Sequence, residues 1–166
     1  MNSQKAEIRQ LSPDDWEILR DIRLRSLQAN PEAFGGKYEV ESLFTEQEWR
    51  NWFIKMDVVV GFVDDRSAGM MTVEVLDGDH GATCWLGGCW VDPDFRGKKV
   101  FSQMFQYLDL FAYAKGWQRQ GLGVWAHNDL AIKAYEALGF RVAGEKMPST
   151  MQPGKFYIHM IRDTQT

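Results

Sequence analysis

Apolar side chains recur at the spacing of an α-helix in four segments of the chain. The first segment follows Ser12-Pro13, a capping residue with a proline at the first helical position, and it ends before Asn30-Pro31. The second begins with Thr45-Glu46-Gln47-Glu48, which has the pattern of a capping box. These patterns predict helices over residues 13–28, 45–56, 100–115 and 129–138.

Seven other runs are rich in β-branched and aromatic residues and have the length of strands. They cover residues 6–11, 58–63, 68–76, 82–91, 121–125, 141–146 and 156–161. Asp64-Asp65-Arg66-Ser67 joins the second and third runs as an antiparallel hairpin. The strand–helix–strand order around residues 100–115 implies local parallel pairing in an otherwise antiparallel sheet. We therefore expect an α/β (α+β) fold whose mixed, mainly antiparallel central sheet has about seven strands and is flanked by about four helices.

The composition predicts one domain over residues 1–166, because 45% of the residues are hydrophobic and the chain is too short for two cores of comfortable size. Lys and Arg total 19 against 23 Asp and Glu, so the formal charge is −4 and nucleic acid is not an expected partner. The polar start from Met1 to Lys5 argues against a signal peptide and a membrane span. We expect a cytoplasmic protein with no membrane partner.

The two cysteines, Cys84 and Cys89, lie on one predicted strand. Their odd spacing points them to opposite faces, which disfavours a disulfide between them. A thiolate that carries an acyl group needs an identifiable activating partner, so we interpret both as small strand residues. Cys and His show no zinc-type spacing, and we expect no metal.

The turn between Val91 and Val100 has the features of an anion site. Arg96-Gly97-Lys98-Lys99 supplies positive charge and a glycine just before the helix predicted at residues 100–115. The first backbone N–H groups of a helix have no partners within the helix, and the helix dipole favours negative charge there. The turn therefore predicts a phosphorylated cofactor. The alternative is a basic helix start whose two lysines are solvated.

Two motifs follow each other in this half of the chain. Val-x-Pro-x-x-Arg-Gly covers residues 91–97, and Asn-x-x-Ala-Ile-x-x-Tyr-x-x-x-Gly-Phe covers residues 128–140. With the order of elements, they resemble the GNAT superfamily of acyl-CoA-dependent N-acyltransferases over nearly the whole chain. The resemblance implies acetyl-CoA as co-substrate and direct attack of a primary amine, expected to belong to a small molecule, in a ternary complex.

The resemblance also implies which residues hold the cofactor. Its pyrophosphate would lie on residues 97–102, and its pantetheine arm would run along residues 89–91. The implied contact residues are Cys89, Trp90, Val91, Arg96, Gly97, Lys98, Lys99, Val100, Phe101, Ser102, Asn128 and Tyr135.

The chain departs from the family pattern at Lys99 and Phe101, where the family usually has small residues that let the backbone approach phosphate closely. Phe101 would instead point inward and anchor the helix. Upstream, Gly87-Gly88 marks a bulge or a kink in a β-rich run. The family uses the matching strand to present a backbone N–H to the thioester carbonyl, which would stabilise an oxyanion.

Tyr135 is the candidate general acid. From spacing alone it is a core aromatic on the same helical face as Ala131 and Leu138. In the family the matching tyrosine protonates the departing thiolate of CoA, which a phenol can do near neutral pH. Asn128 is by spacing the N-cap of this helix, and the family also places it against the cofactor.

The acceptor amine must lose a proton, so a base or a water chain is needed. Leu122-Gly123-Val124-Trp125 on the fifth strand offers no carboxylate. Glu74 is the first candidate base, followed by His80 and His127. Each also has a non-catalytic interpretation: Glu74 as a solvated strand glutamate, His80 as a turn histidine and His127 as a loop histidine.

The loop at residues 31–44 is richer in aromatic and acidic groups than a connection needs, and it is a candidate wall of the acceptor site. The predicted acceptor-binding residues are Phe34, Tyr38, Glu39 and Glu74. An acidic set, consisting of Glu39, Glu41, Glu74, Asp77 and Asp79, favours a cationic small molecule, although such a set is also typical of a solvated face.

Two hypotheses from different classes remain at this point. The first is an acetyl-CoA-dependent N-acetyltransferase acting on a small-molecule amine. The second is a non-catalytic CoA-binding sensor or protein-interaction module on the same fold, which the substituted turn and the missing fifth-strand carboxylate favour. A homodimer is compatible with Trp49, Trp52 and Trp117, although burial in the monomer core is the simpler account of these tryptophans.

Overall fold

Seven β-strands and five α-helices form within residues 5–97 and 99–164, the part of the chain that this computed structural model describes. The strands are β1 (Glu7–Gln10), β2 (Asp57–Val63), β3 (Arg66–Val75), β4 (Cys84–Val91), β5 (Arg119–Trp125), β6 (Arg141–Pro148) and β7 (Phe156–Asp163). The helices are α1 (Trp16–Ala29), α2 (Tyr38–Glu41), α3 (Glu46–Lys55), α4 (Val100–Lys115) and α5 (Asp129–Ala137).

The strands form one mixed sheet in the order β1-β2-β3-β4-β5-β7-β6. The pairs β1–β2, β2–β3, β5–β7 and β6–β7 are antiparallel. Strand β4 pairs with β5 in parallel, with Cys84 opposite Gln120 and Trp85 opposite Gly121. The sheet confirms the predicted fold class, including the local parallel pairing.

The chain divides into two compact units. The first unit contains Met1–Glu74 and Gly88–Tyr107, and the second contains Val75–Gly87 and Leu108–Thr166. Strand β4 therefore contributes its second half to the first unit and its first half to the second unit. None of the helices in the described residues combines the length and the apolar character needed to cross a bilayer.

The first unit buries apolar side chains from α1, α3 and the strands β2, β3 and β4. This core cluster consists of Leu11, Leu19, Ile22, Trp49, Val58, Val60, Met70 and Trp90. Helix α3 starts as its capping box predicts, since the Glu48 N–H donates to Thr45 Oγ1 at 3.2 Å. Strands β2 and β3 form the predicted hairpin, and its turn residues Asp64 and Asp65 both have positive φ, as a tight primed turn requires.

The second unit contains α4 from Leu108 onward, α5 and the strands β5, β6 and β7, and it buries Leu122, Met160 and Ile161. Its interior also holds a charged group. Arg162 donates to both carboxylate oxygens of Asp109, at 2.8 and 2.6 Å, and to Gln120 Oε1 at 2.9 Å. The carboxylate and the amide satisfy a guanidinium that would otherwise be costly to bury.

Candidate functional site

Strand β4 is kinked at Gly88, where the paired glycines of the sequence predict it. Gly88 has φ +58°, which glycine adopts without strain. Cys89 and Val91 are half-buried, whereas Trp90 is 5% exposed and donates from its indole Nε1 to Asn30 Oδ1 at 2.9 Å. The side chain of Trp90 therefore belongs to the core, so Trp90 could face a ligand only through its backbone.

The residue after β4 is fixed by an arginine of α1. Arg25 donates through Nη2 to Asp92 Oδ2, and Asp92 Oδ1 accepts from the N–H of Asp94 at 2.9 Å. Burial opposes ionisation of Asp92, but its hydrogen bonds and the positive charge of Arg25 outweigh burial and lower the pKa of this carboxyl. The chain thus enters the next turn from a fixed position.

The turn before α4 has left-handed backbone on both sides of Lys98, which lies outside the described residues. Gly97 has φ +83° and Lys99 has φ +61°. A Cβ built on Gly97 would meet no heavy atom within 4 Å, so the backbone faces open space. Lys99 thus takes a glycine-like conformation where the family pattern has a small residue. Arg96 and Lys99 are both exposed and add positive charge at this place.

The first turn of α4 is anchored on one side and open on the other. Val100 is 1% exposed, and the ring of Phe101 packs edge-on against Phe105 with centroids 5.2 Å apart. Ser102 Oγ donates to the carbonyl oxygen of Lys99 at 3.1 Å. A lysine side chain has no acceptor atom, so Lys99 cannot cap the N–H groups of this turn. The first N–H groups of a helix have no partners within the helix, so those of this turn are candidate donors to an anionic ligand.

Helix α5 carries the second motif. Asn128 Oδ1 accepts from the Ala131 N–H at 3.2 Å, which confirms the predicted N-cap. Tyr135 is half-buried, and its ring packs edge-on against Phe140 with centroids 5.5 Å apart. Tyr135 is therefore less buried than the core aromatic that spacing alone predicts, although its ring contacts Phe140, the last residue of the same motif.

The loop predicted as the acceptor wall contains a buried ion pair. Glu41 of α2 is 6% exposed, and its carboxylate accepts from Arg23 Nε at 2.8 Å and from Arg23 Nη2 at 3.0 Å. Phe34 lies against the same guanidinium, with its ring centroid 5.3 Å from Cζ. Glu41 is therefore committed to Arg23 and adds no free negative charge to the predicted acidic set. Tyr38 is half-buried and Glu39 is exposed.

Glu74, the first candidate base, lies near the end of β3. Its side chain is 29% exposed, and Oε1 is 3.6 Å from Nζ of Lys55, whose side chain is 72% exposed. An ion pair this open is weak, so Lys55 holds Glu74 only loosely.

His80, the second candidate base, lies against His159 of β7, which neither sequence motif includes. His159 Nδ1 is 3.4 Å from His80 Nε2 and 3.9 Å from Asp79 Oδ2. Trp85 packs edge-on against His159, with ring centroids 4.9 Å apart. A histidine among the apolar residues of β7 is the sequence signal that could have identified this cluster.

Burial lowers the pKa of His159, because the charged imidazolium is poorly solvated there. The neighbouring Asp79 opposes this effect, and His80 adds to it. His159 is therefore neutral near pH 7 and able to accept a proton. The third candidate base, His127, is exposed and stacks on Trp125 with ring centroids 6.2 Å apart.

Cys84 and Cys89 do not form a disulfide with each other, as predicted. Cys84 is fully buried, and burial raises the pKa of its thiol to about 12. Cys84 is consequently not a nucleophile near neutral pH. Among the described residues, no group of three or more His, Cys, Asp or Glu side chains is arranged to hold a metal ion.

The sequence and the fold are similar to those of known proteins. The sequence model of the Acetyltransferase (GNAT) family matches residues 16–140. An acetyltransferase of the GNAT family from Streptococcus pneumoniae has a TM-score of 0.76 at 16% identity, covering 97% of this chain and 100% of that chain. The PaiA N-acetyltransferase from Thermoplasma acidophilum, solved in complex with coenzyme A, has a TM-score of 0.70 at 19% identity, with 96% and 99% covered.

The ribosomal-protein-S18-alanine N-acetyltransferase from Escherichia coli has a TM-score of 0.67 at 20% identity, covering 97% of this chain and 95% of that chain. A comparison with curated protein sequences gave no match. The structural similarities establish a shared fold, and the family match extends over most of the chain. The chain belongs to the acetyltransferase (GNAT) family.

Proposed function

We propose that this protein transfers the acetyl group of acetyl-CoA to a primary amine of a small molecule, by direct attack of the amine in a ternary complex within one acetyltransferase domain. Family membership supports acetyl transfer in general. The observation that carries the proposal for this chain is the turn before α4. There Gly97 faces open space, and Lys99 keeps a left-handed backbone in spite of its side chain.

The phosphates of the cofactor would lie at this turn. The N–H groups of residues 99–102 would donate to phosphate oxygens, and Arg96 and Lys99 would supply positive charge. Cys89 and Val91 would border the pantetheine arm with their half-buried side chains, and Asn128 would contact the cofactor in addition to capping α5. When bound, acetyl-CoA supplies the acetyl group as a thioester.

Tyr135 would act as the general acid that delivers its phenolic proton to the departing sulfur. The packing of its ring against Phe140 supports this role, because a held ring keeps the hydroxyl in one place. Replacing Tyr135 by Phe should lower kcat by roughly a hundredfold if proton transfer limits the rate. Tyr113→Phe is the matched control, since Tyr113 is 75% exposed on α4.

The base that deprotonates the amine has two candidates. Glu74 would accept the proton through a carboxylate that Lys55 holds only loosely. His80 is the competing candidate, and its Nε2 lies 3.4 Å from Nδ1 of His159. Glu74→Gln and His80→Gln separate them, since only removal of the true base should abolish the rise of kcat/KM with pH.

The amine would enter beside Phe34, Tyr38, Glu39 and Glu74. The exposed Glu39 and the half-buried Glu74 would attract a protonated amine before it loses its proton. Phe34 and Tyr38 would provide aromatic faces for its carbon chain.

The proposal is tested by two measurements on the same protein. Thermal unfolding with CoA tests binding, and release of free thiol from acetyl-CoA with polyamines, amino acids, aminoglycosides and peptides tests transfer. We expect CoA to raise the melting temperature and at least one small amine to release thiol at a rate that depends on Tyr135. Stabilisation by CoA without turnover on any amine would favour the non-catalytic sensor, and no stabilisation at millimolar CoA would overturn both functions.

A further inference from the structure

Arg23 has one nitrogen that the protein itself does not use. Its Nε and Nη2 donate to Glu41 at 2.8 and 3.0 Å, and Arg23 as a whole is 9% exposed. Nη1 makes no hydrogen bond with residues 5–97 and 99–164. It is not completely buried, because it is absent from the set of fully buried side-chain atoms that have no partner. Nη1 therefore keeps two N–H donors without a hydrogen-bond partner in the described part of the chain, and it retains some contact with solvent.

The guanidinium around Nη1 is held on every other side. Phe34 and Trp52 lie against it, with ring centroids 5.3 and 5.4 Å from Cζ. Glu41 occupies the edge formed by Nε and Nη2 in a bidentate arrangement. A side chain at Gly36 would overlap the Glu41 carboxylate, so the loop backbone closes over the pair. Such a fixed donor costs little entropy when it binds a ligand.

Nη1 faces the kink of β4. A Cβ built on Gly88 would be 3.5 Å from Nη1, and Gly87, Gly88 and Cys89 are all half-buried in a strand whose flanking residues Leu86 and Trp90 are buried. Gly88 directly precedes the stretch proposed to border the pantetheine arm. A group bound between Nη1 and Gly88 would therefore lie next to the proposed site of transfer.

We propose that Nη1 of Arg23 binds a carboxylate of the acceptor beside Gly88, which makes the acceptor an amino acid; this inference rests on the proposed function. Nη1 can only donate hydrogen bonds, so an ammonium group cannot occupy this position. An oxygen acceptor can, and a carboxylate adds the attraction between opposite charges to its hydrogen bonds with the guanidinium. The substrate then carries its carboxylate at Arg23 and directs its amine to the base of the proposed function.

The Arg23–Glu41 ion pair has no net charge, which is compatible with binding of a carboxylate at Nη1. A lone buried guanidinium would be costly in the absence of substrate, whereas the paired one is satisfied on one edge and keeps its other edge free. The carboxylate of the substrate would approach from the edge opposite Glu41, where the two carboxylates do not compete for the same N–H groups.

The test compares three forms of each acceptor. The standard α-amino acids are assayed by thiol release from acetyl-CoA, and every amino acid that is acetylated is compared with its α-carboxamide and with the amine formed by removing its carboxylate. We expect kcat/KM for the amino acid to exceed that of both analogues by roughly tenfold to a hundredfold.

Two variants link this preference to Arg23. Arg23→Lys keeps a positive charge for Glu41 but has no second nitrogen, so it should remove the preference for the amino acid over its carboxamide and its decarboxylated amine. If Arg23→Lys does not fold, Gly88→Ala blocks the approach to Nη1 instead. Gly154→Ala is its control, because Gly154 has φ +87° and no heavy atom within 4 Å of a Cβ built there.

The outcomes separate this inference from the proposed function. Equal use of the three acceptor forms, or a preference that survives both variants, overturns the carboxylate site and leaves acetyl transfer standing. If no amine is acetylated, calorimetry measures whether the same amino acids bind. Binding that requires both the carboxylate and Arg23 would support the carboxylate site and reject acetyl transfer. No binding and no turnover reject both.

Discussion

The two helices that carry the family motifs begin in opposite ways. Helix α5 is preceded by Asn128, whose side chain accepts from an N–H of the first turn. Helix α4 is preceded by Lys99, which has no acceptor atom and takes a left-handed backbone. One N–H of the first turn of α5 is capped by a side chain of the protein, whereas the side chain of Lys99 cannot cap α4. If the start of α4 binds phosphate, as proposed, a helix start without a side-chain cap and beside positive charge marks such a site.

The largest expected effect comes from reversing the charge at Lys99. Lys99→Asp should raise the Kd of CoA by roughly tenfold to a hundredfold, because a carboxylate would repel the phosphates and compete for the N–H groups. Aspartate tolerates the left-handed conformation better than most residues, so the fold should be kept. Isothermal titration calorimetry measures the change.

The control for this prediction lies on the other helix. Lys133→Glu makes the same change of charge on the exposed face of α5 and should alter the Kd of CoA by less than about twofold. Equal losses of affinity in the two variants would mean that only net charge matters, and the comparison of the helix starts would fail.

The second effect concerns the cap of α5. Asn128→Ala should lower the free energy of unfolding by about 1 kcal/mol, because the N–H of Ala131 loses its acceptor. Asn128→Asp keeps an acceptor and should lower it by less than about 0.5 kcal/mol. Urea unfolding measures both variants, and an equal loss would contradict the capping role.

A somewhat smaller effect is expected from the backbone strain at Lys99. Lys99→Gly and Lys99→Ala both remove the charge, but only glycine relieves the left-handed conformation. The glycine variant should be more stable by about 0.5 to 1 kcal/mol in urea unfolding. A more stable alanine variant would show that the turn is not left-handed in solution.

The smallest effect is the response to acid of the unit that contains α5. The pKa of His159 is lowered in the folded protein from its ordinary value of 6.5, so below that pH the unfolded chain takes up a proton more readily than the folded chain. Stability should therefore fall as the pH drops below 6.5, and His159→Gln should weaken this fall. Urea midpoints at pH 7.5 and 5.5 measure it, with the exposed His127→Gln as control.

Long periodic elements could be predicted from the sequence, and very short ones could not. The structure places α4 at the predicted residues, because its apolar positions repeat over four turns and fix the buried face. Helix α2 lies in a segment predicted as a loop, because its four residues are too few to show a period. Pro13–Asp15 forms a 3-10 turn before α1, where Asp15 Oδ2 accepts from the Ser12 N–H at 2.9 Å.

In the candidate site, features that depend on neighbouring residues could be predicted from the sequence, and contacts between distant residues could not. Gly97 and Asn128 belong to local motifs, and their backbone and capping geometry follow from neighbouring residues. The pairing of Arg23 with Glu41 joins residues 18 apart, and that of His80 with His159 joins residues 79 apart. No local pattern encodes such contacts, although a charged residue on the apolar stripe of α1 is in retrospect a signal for Arg23. The roles of Tyr135 and Glu74 stay predictions.

The start of α4 is proposed to bind the phosphates of acetyl-CoA. Calorimetric titration with CoA and with pantetheine, which lacks the nucleotide and its phosphates, measures what these phosphates contribute to binding. We predict that CoA binds the unmodified protein at least about a hundredfold more tightly than pantetheine, and that Lys99→Asp removes most of this difference. Equal affinities for CoA and pantetheine, or a difference that Lys99→Asp leaves intact, would contradict the account.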